Sequence, residues 1–220
     1  MPSSTVENYV KQIYIEQQRT GDGLVPMGRL ADLMRVSPGT TTTMIKALSD
    51  AGLVDYEPRN GTRLTPGGQQ LALHILRRHR LIELFLVKIL GLDWSEVHVE
   101  AEELEHAISD KVLNRLDALL GHPAVDPHGD PIPTSEGQVL EVRLDNVQTC
   151  PVGKPVKVAR VLDQDPEFLQ FVERSGLTPG TTIVVQNRDA AADSVVIRRG
   201  DAATVTLGTA AAGKLLVSPA

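Results

Sequence analysis

The 220-residue chain has a single cysteine, Cys150. That excludes an intramolecular disulfide and any cysteine-rich zinc site. Long apolar runs are missing too. The longest, Leu84-Phe85-Leu86-Val87, stops at Lys88. This is far short of the roughly 18–20 residues that span a bilayer, and the N-terminus carries no basic-then-apolar signal. No internal repeat or low-complexity tract is present. No Ser/His/Asp order and no phosphate-cradling glycine loop is legible. Positive charge is also in short supply: 22 Lys+Arg face 28 Asp+Glu, a net −6 that in bulk argues against a nucleic-acid partner. What remains, 41% hydrophobic and 23% charged, is the composition of a globular chain.

The charge is unevenly spread. Residues 1–80 carry +3 and residues 81–220 carry −9, so the N-terminal third leans basic and its local field suits a polyanion. That third also has a recognisable order. Residues 4–18 read as a helix capped by Ser4 or Thr5, with Val6, Tyr9, Val10, Ile13 and Tyr14 at helical spacing. Gly21-Asp22-Gly23 breaks it. A short helix follows over 27–34, then a Ser37-Pro38-Gly39 turn, then a helix over 39–51 stopped by Gly52. Two strand-like pieces, 53–57 and 63–65, flank Pro58-Arg59-Asn60-Gly61-Thr62, where Asn60-Gly61 is a hairpin signal because both residues tolerate positive φ. Helix, helix, tight turn, helix, hairpin is the order of a winged helix-turn-helix. Long helices are predicted over 66–90, capped by Thr65, and over 94–120. Residues 121–137, rich in Pro, Gly, Asp and His, read as an irregular loop. Short β-type runs then dominate (139–144, 156–161, 181–187, 194–199, 203–207, 214–217), interrupted by one helix at 165–175. The expected fold is mainly α with a small β-barrel domain.

Thr40, Thr41, Thr42 and Thr43 open the third helix. Four β-branched hydroxyl residues are poor helix formers, and their placement there suits a helix start that meets phosphates, base edges or thymine methyls. Arg35 precedes the turn, Ser37 and Pro38 form it, Lys46 lies further along the helix, and Arg59, Asn60 and Arg63 sit at or beside the wing tip. A Ser/Thr-rich helix start that only caps, or a winged-helix protein–protein module, is the alternative.

A second constellation lies downstream. His79 and Glu83 are an i, i+4 pair on the first long helix. Glu102, Glu105 and His106 are expected on one face of the next, with His98 one turn before Glu102. Three imidazoles and three carboxylates form a mixed nitrogen and oxygen ligand set. It suits Mn(II), Fe(II), Co(II), Ni(II) or Zn(II) and lacks the thiolates that favour copper(I) or structural zinc. A solvated charged helix surface and a paired-carboxylate hydrolase are the competing readings.

Several segments together resemble one family. They are Val6 to Tyr14, Ser37-Pro38-Gly39-Thr40, Arg78 to Glu83, His98 to His106, Asp130-Pro131-Ile132-Pro133, and the Leu-x-Pro-Gly turn of Leu177 to Ile183. In this order they resemble the diphtheria toxin repressor-like, iron- and manganese-dependent transcriptional regulators, and the resemblance covers nearly the whole chain. It implies a winged helix-turn-helix over 1–73, a helical metal-binding and dimerisation domain over 74–140, a linker over 141–154 and an SH3-like (FeoA-like) domain over 155–220. It also implies two metal sites. An ancillary site would use His79, Glu83 and His98 with Gln164 and Glu167 from the C-terminal domain. A primary, activating site would use Glu102, Glu105, His106 and the first-helix residue Asn8. Iron-type members have Met at the first-helix position and Cys where this chain has Glu102; manganese-type members have Asp and Glu. Asn8 departs from both and offers a neutral carbonyl oxygen. Lys11 stands where some manganese-type members have a further Glu; protonated, it cannot ligate and disfavours a closely spaced second cation. Glu102 leans the site toward Mn(II) or Fe(II), with Co(II), Ni(II) or Zn(II) binding in vitro by the Irving–Williams order.

The resemblance implies a cytoplasmic homodimer, joined through Leu81 to Leu90 and Ile108 to Leu120, that binds a pseudo-palindromic double-stranded DNA operator with metal as corepressor. It implies no enzyme activity, no organic small-molecule substrate and no membrane partner. The second reading is a metal-independent winged-helix regulator or adaptor with vestigial ligand residues.

Overall fold

The structure, a computed structural model, describes every residue except 1, 2, 22, 141, 201 and 202. The chain divides into two compact units, residues 1–79 with 133–139 and residues 80–132 with 140–220.

The first unit begins with α1 (Ser4–Thr20). Its cap is Ser3, one residue before the expected cap, and Ser3 Oγ accepts from Val6 N at 3.4 Å. Gly21 closes the helix at φ 81°. Asp22, expected in the break, lies outside the described residues. α2 (Met27–Met34) ends on Arg35 at φ 53°, and α3 (Pro38–Asp50) starts from Ser37, whose Oγ accepts from Thr40 N at 3.1 Å, with Pro38 at the first helical position. β1 (Val54–Glu57) and β2 (Gly61–Leu64) pair antiparallel, Glu57 opposite Gly61. The expected turn holds in part: Gly61 takes a positive φ (140°), but Asn60 does not and Arg59 (φ 72°) does, because the loop runs over three residues, 58–60. Gly61 is required for a second reason. A Cβ there would strike the backbone of Val25, which joins the wing through Val25 N to Thr62 O at 2.7 Å. Tyr9, Val10, Ile13, Leu30, Ile45, Leu48 and Val54 make the core of this unit. α4 (Pro66–Lys88) follows; Thr65 Oγ1 caps it by accepting from Gly68 N at 3.1 Å.

In the second unit the helix expected over 94–120 is two helices, α5 (Val97–Leu104) and α6 (Asp110–Leu119). The break has a local cause: Ser109 Oγ accepts from Val112 N at 3.4 Å and starts a new helix. Glu105 and His106 therefore lie in the turn after α5 rather than on a helix face. β3 (Asp145–Asn146), β4 (Pro155–Val161), α7 (Pro166–Arg174), β5 (Thr182–Asp189), β6 (Ser194–Arg199), β7 (Thr204–Gly208), α8 (Thr209–Gly213) and β8 (Leu215–Pro219) complete the chain. The strands form one antiparallel sheet in the order β3-β8-β4-β5-β6-β7, bent by register shifts at Val158/Arg160 and Val185/Asn187. Alternate residues, among them Val156, Val158, Ile183, Val185, Val195 and Ile197, point into a core closed by Leu169 and Val172 of α7. Of the expected run at 139–144, the described residues form no strand; pairing begins at Asp145. No helix is long and apolar enough to cross a membrane among the described residues.

Candidate metal centre and nucleic-acid interface

The reading head presents α3. Its solvent side carries Thr40, Thr43 and Lys46 at helical spacing, all exposed, while Thr41 is wholly buried beside Ile45 and Leu48. Thr41 thus belongs to the core, against the expectation that all four threonines meet DNA. Arg35, Ser37, Pro38, Arg59, Asn60 and Arg63 are exposed around the same helix and wing. Asn60 Nδ2 donates to Glu57 Oε2 at 3.3 Å, and Arg63 Nε donates to Asp55 Oδ2 at 3.3 Å across the hairpin. Both side chains are already engaged before any partner arrives.

Asn8, on α1, has its Oδ1 buried with no hydrogen-bond partner among the described residues. A buried carbonyl oxygen without a donor is costly, and a cation is one way to satisfy it. Glu7 is buried on the same helix with Arg78 Nη1 3.9 Å away, and Lys11 is buried one turn on. His79 closes the first unit on α4, one turn before Glu83.

The acidic cluster of the second unit is built from α4, α5 and the 126–130 loop. His98 Nδ1 lies 3.3 Å from Glu83 Oε1, and its Nε2 lies 3.7 Å from Glu102 Oε1. One imidazole therefore links residues assigned above to the ancillary and the primary site. Glu105 is fully buried, with His106 Nε2 3.5 Å from its Oε1.

Glu83 meets a second group that sequence reasoning missed: Glu83, Asp126 and His128 offer ligand atoms all within 4.8 Å of one another, and all three are buried. The loop that holds Asp126 and His128 is anchored by its own backbone and by α4. Asp126 Oδ1 accepts from the backbone N–H of His128 (2.8 Å) and of Asp130 (2.9 Å), and Arg80 Nη1 donates to Pro131 O at 2.5 Å. Gly129 sits at φ 88° where a Cβ would strike the backbone of Ala159 in β4, so only glycine allows this approach. His128 Nε2 lies 2.9 Å from Trp94 O, an acceptor only, so Nε2 carries the proton. Its Nδ1 has no hydrogen-bond partner among the described residues and lies 3.9 Å from Glu83 Oε2 and 4.0 Å from Asp126 Oδ1. Two ligands of one cation at bond lengths of about 2.0–2.2 Å stand roughly 3–4 Å apart, so this spacing fits. Burial, then the neighbouring carboxylates of Asp130 and Glu83, raise the Asp126 carboxyl well above the usual range, against the opposing pull of Arg80. The donors are oxygen and imidazole nitrogen only, a set for a first-row divalent ion.

The expected C-terminal contributors differ. Gln164 Nε2 donates to Asp130 Oδ2 at 2.7 Å, which brings Gln164 to the same loop. Glu167 is exposed at the start of α7, where its N–H is accepted by the Asp165 cap. The apolar stretch expected at the dimer contact is partly consumed inside the chain. Leu81, Ile82, Leu84 and Leu86 are buried in the second unit, while Ile89, Leu90, Val112 and Leu119 stay exposed.

A winged helix and a carboxylate–imidazole cluster in one chain define a class, the metal-responsive DNA-binding regulators. Comparison with known proteins agrees. Residues 1–62 match the iron dependent repressor N-terminal DNA binding domain, residues 65–134 the iron dependent repressor metal binding and dimerisation domain, and residues 145–219 the FeoA domain. The diphtheria toxin repressor of Corynebacterium diphtheriae is 35% identical over 198 residues, 84% of this chain and 85% of the relative. The iron-dependent repressor IdeR of Mycobacterium tuberculosis (strain ATCC 25618 / H37Rv) is 30% identical over 206 residues, 88% of each chain. Among solved structures, a manganese-dependent transcriptional repressor in complex with manganese superposes with TM-score 0.86 at 38% identity, covering 98% of this chain and 100% of that one. ScaR with bound Cd2+ gives 0.79 at 32% identity with full coverage of both chains. The chain belongs to the iron-dependent repressor family, the diphtheria toxin repressor-like transcriptional regulators.

Proposed function

We propose that this chain is a metal-dependent transcriptional repressor, with Mn(II) or Fe(II) as corepressor, acting as a cytoplasmic homodimer on a palindromic operator and carrying out no catalysis. The observation that carries the reading is a buried, all-oxygen-and-nitrogen cluster in a chain that also displays a winged helix. In this reading residues 1–73 read DNA, 74–140 hold metal and dimerise, and 155–220 form the SH3-like domain. The primary site is Asn8, Glu102, Glu105 and His106. A second site centres on Glu83, which groups with His79 and His98 and also with Asp126 and His128. Gln164 supports that loop through Asp130.

A bound divalent cation supplies charge neutralisation and a directional link among these donors. Without it, Glu102, Glu105 and Glu83 repel, and the Asn8 carbonyl lacks a donor. With the carboxylates neutralised, α1 is tied to the α5 segment and the two recognition helices of a dimer are held at half-site spacing. Coupling arises because the ion binds the DNA-competent state more tightly than the other. Ile89, Leu90, Val112 and Leu119 supply the apolar surface for the second copy.

A gel shift on the DNA upstream of the protein's own coding region tests this at fixed salt, since phosphate-driven affinity varies steeply with ionic strength. Operator binding is expected with Mn(II), Fe(II), Co(II) or Zn(II) and is lost on chelation. Equal binding with and without metal would support the metal-independent regulator instead.

A further inference from the structure

Two hydroxyls of the recognition helix, those of Thr42 and Thr43, are committed to its own backbone. Thr42 Oγ1 donates to Pro38 O at 2.8 Å and Thr43 Oγ1 to Gly39 O at 3.1 Å, each reaching back one turn. Thr40 Oγ1 and Ser37 Oγ share a hydrogen bond of 2.9 Å, and Ser37 Oγ also accepts from Thr40 N. A hydroxyl has one proton to give. The protons of Thr42 and Thr43 are committed to the helix, and Ser37 and Thr40 keep one between them for an outside acceptor. Thr42 is half-buried and Thr41 buried, so the exposed side of the helix is Thr40, Thr43 and Lys46. On that side Thr43 has turned its hydroxyl proton back along the helix, and what its side chain has left to offer is the methyl and an oxygen that can accept but not donate.

In the major groove, guanine presents N7 and O6 acceptors, which call for a donor; thymine presents a C5 methyl, which rewards apolar contact. A face with methyls and a spent donor suits the second and not the first. We propose that this chain reads thymine through the methyl of Thr43, with that of Thr40 one turn earlier, while the hydroxyls serve the helix and Lys46 holds phosphate. This rests on the DNA-binding reading above and names what that surface selects.

The test uses the full chain with Mn(II) and duplexes selected on it from a random-sequence pool. Each thymine of a selected half-site is then replaced by uracil, which removes the methyl alone. One or two positions per half-site are expected to lose about fourfold in affinity per methyl removed. Thr43→Val, which keeps the shape and removes the hydroxyl, should bind thymine duplex as the parent does and keep the uracil penalty. Thr43→Ser, which keeps the hydroxyl and removes the methyl, should bind thymine duplex about fourfold more weakly and lose the penalty. Uracil tolerated at every position, or affinity lost in Thr43→Val and kept in Thr43→Ser, would overturn the inference. If no duplex is enriched at all, it is the DNA-binding reading that fails.

Discussion

In the reading head the polar side chains that matter face solvent and are held by neighbours a turn or a hairpin rung away. Thr43 bonds Gly39, and Arg63 bonds Asp55. In the acidic cluster they are buried or half-buried and held by residues far off in sequence: His128 by Trp94, Gln164 by Asp130, Arg80 by Pro131. The difference is one of solvent. An exposed ion pair is worth roughly 0–1 kcal/mol, and losing it costs little. A buried carboxylate without a partner costs far more. Glu83, Glu105, Asp126 and His128 are each at most 4% exposed. The first region is therefore a surface that samples partners, and the second is one whose energy depends on what charge it holds.

Three substitutions would sharpen or break this contrast. The largest effect belongs to Glu105→Gln, which keeps the volume of a fully buried side chain and removes its charge. Operator affinity in Mn(II), read by gel shift, should fall by about 5–150-fold, the usual span of a coupling between two sites; binding that stays at the parental level would separate Glu105 from the switch. Next is His128→Ala. Equilibrium dialysis should show one fewer tightly held Mn(II) per chain, with operator binding still metal-dependent. An unchanged stoichiometry would mean that the Glu83, Asp126 and His128 group is a structural network only. The smallest effect is Arg63→Ala. Because Arg63 is exposed and its pair with Asp55 is solvated, thermal unfolding should register less than about 1 kcal/mol, and the salt dependence of operator binding should drop by no more than about one unit of slope.

The same contrast explains what could be read before the structure. The winged helix is local: Ser37 before Pro38, Gly61 after a three-residue turn and the spacing of Tyr9, Val10 and Ile13 are patterns within a few residues. Where the structure departs from that pattern the cause is local too: positive φ falls on Arg59 rather than Asn60. On α4 the i, i+4 pair of His79 and Glu83 was visible for the same reason. Asp126 and His128 were not. They sit in a stretch whose Pro, Gly, Asp and His content reads as irregular loop, and only packing against Trp94 and β4 buries them. The one available signal was the juxtaposition of Asp126, His128 and Asp130 in five residues. The single helix expected over 94–120 is two because Ser109 restarts the helix.

Metal and operator are coupled in the proposed switch, and coupling is reciprocal. Titration calorimetry of Mn(II) into the dimer, alone and then with operator DNA present at saturation, measures it from the metal side. The operator is expected to tighten Mn(II) binding at the coupled site by the same factor by which Mn(II) tightens operator binding. Equal Mn(II) affinity with and without DNA would contradict it.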